Sequence, residues 1–131
     1  MSGPGRAVVG VGVDLVHVPA FAEQLGRPGT RFAGGVFTPG ERGDAEGDPA
    51  RLAARWAAKE AVIKAWSASL HGTAPPMDEH LHHLIEVVKD AWDRPRIRLL
   101  GEVAKHLSEH EVEVSLSHDG DYAVAYVVLS R

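Results

Sequence analysis

Three charged residues of this sequence could share one reaction. Asp14 closes an apolar run, Val8-Val9-Gly10-Val11-Gly12-Val13. A carboxylate there is costly unless it is paired, hydrogen-bonded or bound to a metal. Glu60 and Lys64 are four residues apart, which puts them on one flank of any helix that holds both. Two carboxylates with a lysine nearby suit a hard cation such as Mg²⁺, shared with the phosphates of a ligand. Lys64 would then reach a phosphate oxygen, and the chemistry would be phosphoryl or phosphate-ester transfer. Taken singly, Asp14 could also cap a turn, and Glu60–Lys64 could be a plain stabilising pair.

Histidine offers a second chemistry. His80, His82 and His83 crowd the exit of a Gly/Pro loop, but a zinc site needs ligands converging from fixed elements, and this spacing supplies none. His106 and His110 are four apart and lack a third ligand. His118 sits at a strand end beside Asp119-Gly120, where a turn histidine is the simple account. Cysteine is absent, which excludes disulfides and thiolate chemistry.

The element that must position Glu60 and Lys64 is the run Arg51–Trp66. It is rich in alanine, free of Gly and Pro, and preceded by Asp48-Pro49 as N-cap and first-turn proline. At about 100° per residue, Leu52, Trp56, Ile63 and Trp66 form one apolar arc, with Arg55 and Val62 at one edge and Glu60 and Lys64 at the other. Lys59 falls inside the arc, so its ammonium is expected to snorkel to water or to meet an anion at a crevice. Asp14 requires a strand over residues 8–16, whose Gly10 and Gly12 allow close approach of a neighbour. Gly10-x-Gly12 is not a dinucleotide fingerprint, since Leu15 stands where a third glycine would be.

The remaining chain reads as short pieces. Pro19–Leu25 is a helix, Thr38-Pro39-Gly40-Glu41 a capping box, and residues 43–49 an acidic loop. Residues 84–88 and 96–100 form a hairpin, 101–107 a helix, and 112–117 with 122–129 a second hairpin turning at Asp119-Gly120. The expected architecture is α+β: one compact domain over residues 1–131, an antiparallel sheet packed on a long central helix. Residues 1–6 are expected to form a flexible lead without the apolar core of a signal peptide.

The chain has 131 residues and a formal net charge of −4. That balance argues against a general nucleic-acid binder. No apolar run approaches the roughly 20 residues that span a membrane, and a cytoplasmic location is expected. Basic residues still cluster in the first half, at Arg27, Arg31, Arg42, Arg51, Arg55, Lys59 and Lys64. Such a patch on an acidic chain suits an anionic ligand or an acidic partner.

The motifs, taken in order, resemble the holo-acyl-carrier-protein synthase family of phosphopantetheinyl transferases, in wording like its actinobacterial branch. They are Gly12-Val13-Asp14-Leu15-Val16, Phe37-Thr38-x-x-Glu41, Arg55-Trp56-Ala57-Ala58-Lys59-Glu60-Ala61-Val62-Ile63-Lys64-Ala65, Ile85-Glu86-Val87-Val88, Arg94-Pro95, and Ser115-Leu116-Ser117-His118-Asp119-x-x-Tyr122-Ala123. The resemblance implies a Mg²⁺-dependent transfer of the phosphopantetheine arm of coenzyme A to a serine of apo acyl carrier protein, releasing adenosine 3′,5′-bisphosphate. It implies Asp14 and Glu60 as metal ligands, Glu60 as the group helping to deprotonate the serine, and Lys64 as the cation on the pyrophosphate. It makes Arg55, Lys59, Lys64 and His118 candidate coenzyme A contacts, gives Arg27 and Arg31 to the carrier protein or the 3′-phosphate, and implies a homotrimer with sites between subunits. The chain departs from the family pattern in four places: Ala20, the three residues Ser67-Ala68-Ser69 beside the arm, Leu84 and Asp93. The competing reading is a non-catalytic module that binds coenzyme A or carrier protein, which would not need the two carboxylates to converge.

Overall fold

The structure, a computed structural model, describes residues 5–78 and 80–131. In chain order it runs β1 (Val8–His17), α1 (Val18–Leu25), α2 (Phe32–Val36), α3 (Pro39–Ala45), α4 (Pro49–Ser69), a 3₁₀ turn (His82–Leu84), β2 (Ile85–Lys89), β3 (Pro95–Leu99), α5 (Gly101–His106), β4 (Glu111–Asp119) and β5 (Tyr122–Ser130). The strands form two antiparallel sheets. One has the order β1-β5-β4, and the other is the β2-β3 hairpin. Of the expected N-terminal lead, residues 1–4 lie outside the described residues. Arg6 donates to the Glu109 carbonyl and Ala7 pairs with Arg131, so this part of the lead is tied to the far end of the chain.

Helix α4 is the axis of the molecule. Asp48 caps it as expected, accepting from the Ala50 amide, and Pro49 opens it. The alanines do most of the packing. Ala53, Ala57, Ala61 and Ala65 are fully buried and form a stripe at i, i+4, i+8 and i+12. Gly10 and Gly12 of β1 lie against that stripe, where an added Cβ would fall on the carbonyl oxygens of Ala65 and Ala61 respectively. The two glycines thus let strand and helix approach backbone to backbone, and the next inward position along β1 is Asp14.

The expected apolar arc is only part of the picture. Leu52 and Trp66 are buried, but Trp56 and Ile63 are only partly buried, and α4 is enclosed on several sides. Phe21, Phe32, Phe37 and Trp56 gather into an aromatic cluster, with centroids 5.0 Å apart for Phe32–Trp56 and 5.8 Å for Phe21–Phe32. This cluster joins α1 and α2 to the helix.

Lys59 departs from expectation. Its ammonium reaches neither water nor a crevice. It is completely buried, donating to Glu41 Oε1 at 2.7 Å, to the His82 carbonyl at 2.8 Å and to the Ile85 carbonyl. The capping box at Thr38 forms as expected, yet Glu41 does more than cap. Its Oε2 accepts from the Val87 amide at 2.8 Å, and Thr38 Oγ1 donates to Glu86. One buried ion pair therefore ties α3, α4, the 3₁₀ turn and β2 together. Burial depresses the Lys59 pKa, and Glu41 works against that.

Candidate active site

The register of β1 on β5 fixes Asp14 opposite Ala125, on the face that packs against α4. The glycine contacts bring that face onto the turn of α4 that carries Glu60 and Lys64. Lys64 Nζ donates to Asp14 Oδ1 at 2.9 Å and to the Val13 carbonyl at 3.1 Å. The Asp14 side chain is 15% exposed and that of Lys64 52%. The expected Glu60–Lys64 pair is thus replaced by a pair across elements. Glu60 turns instead to His82, whose Nε2 donates to Glu60 Oε1 at 3.0 Å.

The two acids titrate in opposite directions. Burial raises the Asp14 pKa, with Lys64 lowering it and the charge of Glu60 adding to the rise. The hydrogen bond from His82 holds Glu60 below its usual range, against the opposing effect of burial. Asp14 thus feels the negative charge of Glu60, as two carboxylates converging on one cleft must. Asp14 and Glu60 line one cleft of ≈ 300 Å³ with Phe21 and Trp56. Glu60 also borders a second pocket of ≈ 320 Å³, walled by Ile63, Trp66, Leu70, Pro76 and Met77. Glu60 stands on the ridge between the two.

Two carboxylates and open solvent are a hard, oxygen-only, incomplete donor set. It fits Mg²⁺, which keeps waters and takes further oxygens from a phosphate ligand. Asp14 and Glu60 would hold the ion. Among the described residues no three His, Cys, Asp or Glu converge as a metal cage. His82 turns to Glu60, while His80 and His83 border a different pocket.

A family model described as the 4′-phosphopantetheinyl transferase superfamily matches residues 10–127. The chain belongs to that superfamily. Similar relatives include the holo-[acyl-carrier-protein] synthase of Mycobacterium ulcerans (strain Agy99), 56% identical over 93% of this chain and 96% of the relative. That of Mycobacterium sp. (strain KMS) is 58% identical over 95% and 98%. Among solved structures, the acyl carrier protein synthase of Mycobacterium tuberculosis superposes with a TM-score of 0.81 at 51% identity, covering 94% of this chain and 97% of that one. The ACPS–CoA complex of Chronobacterium ammoniagenes gives 0.85 at 50% identity, over 92% and 95%.

Set within the superfamily, the remaining candidates fall in different places. Lys59 is removed from ligand contact by its burial against Glu41, a correction to its expected role. Arg55 is 2% exposed, donates to the Arg51 carbonyl and pairs with Asp44, so it faces α3 and not the cleft of Asp14. His118 is exposed on β4, opposite Ala123, with β5 lying between it and β1. Two strand spacings, about 10 Å, separate it from the Asp14 strand in the same chain.

The departures from the family pattern also find places. Ala20 borders the Asp14 cleft. Ser67, Ala68 and Ser69 continue α4 and do not form a loop. Leu84 packs where a Cβ on Gly101 would sit, and Asp93 takes a left-handed φ of 64°, a conformation that favours glycine. Two partners in the structure lie outside the sequence-based expectations, His82 for Glu60 and Glu41 for Lys59. His82 gave no signal beyond a histidine-rich loop. The Glu41–Lys59 pair did leave one, because a lysine on an apolar arc has to reach water or an opposite charge, and here it reaches Glu41.

Proposed function

We propose that this chain is a holo-acyl-carrier-protein synthase, acting as a single transferase domain over residues 1–131. It moves the phosphopantetheine arm of coenzyme A to a serine of apo acyl carrier protein. The observation that carries this reading is the meeting of Asp14 and Glu60, far apart in sequence, in one cleft beside Lys64 and a largely apolar pocket. The convergence is what a non-catalytic binding module would lack.

In this reading Asp14 and Glu60 are the residues that would hold Mg²⁺. When bound, the cation supplies charge neutralisation on the pyrophosphate oxygens. Glu60, directly or through a water, takes the proton of the serine hydroxyl. The serine oxygen forms the new bond to the phosphorus that carries the arm. The bond from that phosphorus to the bridging oxygen breaks, and adenosine 3′,5′-bisphosphate leaves with the electron pair. Lys64, half-exposed beside Asp14, offsets the charge that develops on the leaving phosphate. The pocket along Ile63, Trp66 and Met77 offers an apolar wall for the arm. Arg27 and Arg31, both exposed, suit an acidic carrier protein or the 3′-phosphate.

The protein acts in the cytoplasm as a homotrimer with sites between subunits. The outer face of the β1-β5-β4 sheet supports the assembly: Val11, Val13, Leu15 and Tyr126 are 48%, 53%, 63% and 50% exposed. So much contiguous apolar surface on one sheet marks an interface. His118 would then serve the ligand of a neighbouring copy. No helix among the described residues is long and apolar enough to cross a membrane.

The test is incubation of an apo carrier protein with coenzyme A and the native chain, read by intact mass. The serine should gain one phosphopantetheine with Mg²⁺ and none after chelation. No gain with any of several carrier proteins would sink the proposal.

A further inference from the structure

His82 is fixed from three directions. Its backbone carbonyl accepts from the buried Lys59 ammonium at 2.8 Å. Its ring stacks on Trp56, with centroids 4.5 Å apart and planes 17° from parallel. Its Nε2 lies 3.0 Å from Glu60 Oε1. The ring is 15% exposed and lines the apolar pocket with Glu60, so little room remains for it to turn. A histidine that merely filled space would not need its polar edge aimed at a carboxylate, nor an ammonium holding its carbonyl.

We propose that His82 is the positioning residue for Glu60. It commits Oε1 to one hydrogen bond and leaves Oε2 as the oxygen presented to the cation and the serine. This inference rests on the transferase reading above, because it assigns Glu60 its work. The chain of support runs from Glu41 through Lys59 to the His82 backbone, and from the His82 ring to Glu60. It gives the buried Glu41–Lys59 pair a second consequence besides holding the fold, for the pair anchors the segment that aims the catalytic carboxylate. Partners that orient metal-binding side chains typically matter about 10–100-fold in metal affinity or activity.

Two substitutions separate the ring from its hydrogen bond. His82→Phe keeps a flat ring on Trp56 and loses the donor. His82→Gln keeps a donor and loses the stack. The readouts are Mn²⁺ binding by electron paramagnetic resonance, with no carrier protein present, and kcat and KM for carrier protein as Mg²⁺ is varied. Thermal unfolding establishes that each variant is folded.

His82→Phe should weaken Mn²⁺ binding about tenfold or more. It should lower kcat and leave KM for carrier protein unchanged, and His82→Gln should restore most of both. In a Glu60→Gln background, His82→Phe should have no further effect on Mn²⁺. Native Mn²⁺ affinity in folded His82→Phe would overturn the inference alone. So would equal loss in the two variants, which would reduce His82 to ring packing. If the native protein binds no Mn²⁺ at all, the metal reading fails, and this inference with it.

Discussion

At the scale of the residue, the site works by partition. Lys64 serves Asp14 and His82 serves Glu60, so each carboxylate keeps its own donor. Lys64 is half exposed, and in the proposed reaction it would leave Asp14 for a phosphate. Lys64→Met should therefore fold normally and lose about 10²-fold in kcat, checked by steady-state kinetics beside a melting curve. His110, away from the site, gives a pH signature of stability. Its Nδ1 is buried with no hydrogen-bond partner among the described residues, and burial, aided by Arg131 and Arg6 against Glu109, depresses its pKa. Below its ordinary value of about 6.5 the unfolded chain binds a proton that the folded chain refuses. Stability should fall as pH drops through that range and level off below the depressed folded pKa. Urea unfolding from neutral to mildly acid pH should show a shallower decline in His110→Gln; an unchanged slope would contradict the account. Asp14, Glu60 and Lys64 were legible in the sequence because an acid at the end of an apolar strand and an acid–lysine pair on a helix are local patterns. The choice of partner was not legible, since it depends on which elements meet.

At the scale of the element, the molecule is a helix held from two sides. Gly10 and Gly12 set its distance from β1, and the Lys59–Glu41 pair sets its attachment to α3 and β2. Both signals stood in the sequence, but only the first was read with the right consequence. Glycine alternating in a strand can mean little besides close approach. A lysine on an apolar arc has several outcomes, and the one realised needs an acid from a helix start eighteen residues earlier. Breaking the pair strands a charge. Lys59→Met should cost about 3–5 kcal/mol, and the double change Lys59→Met/Glu41→Gln should recover part of it, because a neutral amide removes the orphaned charge. Denaturant unfolding of the two variants measures both. A double variant no more stable than the single one would contradict this account of the pair.

At the scale of the whole molecule, the sheet face opposite α4 is unfinished. Val13 and Tyr126 are register partners on it, each about half exposed. A charge there should prevent association and leave the fold standing. The native chain should sediment as a trimer and Val13→Glu as a monomer, and the variant should lose transfer, since the proposed sites lie between subunits. A native chain that sediments as a monomer would remove the assembly from the account. The continuous β-branched run of residues 8–16 predicts a buried strand; the sequence alone could not say that one of its faces would stay exposed in the single chain. The central claim is that Asp14 and Glu60 together make the transfer. Its most direct test is the intact mass of apo acyl carrier protein after incubation with coenzyme A, Mg²⁺ and native, Asp14→Ala or Glu60→Ala protein, each shown to be folded. The native chain should add one phosphopantetheine arm and the two variants should add almost none. Full conversion by either folded variant would contradict the claim.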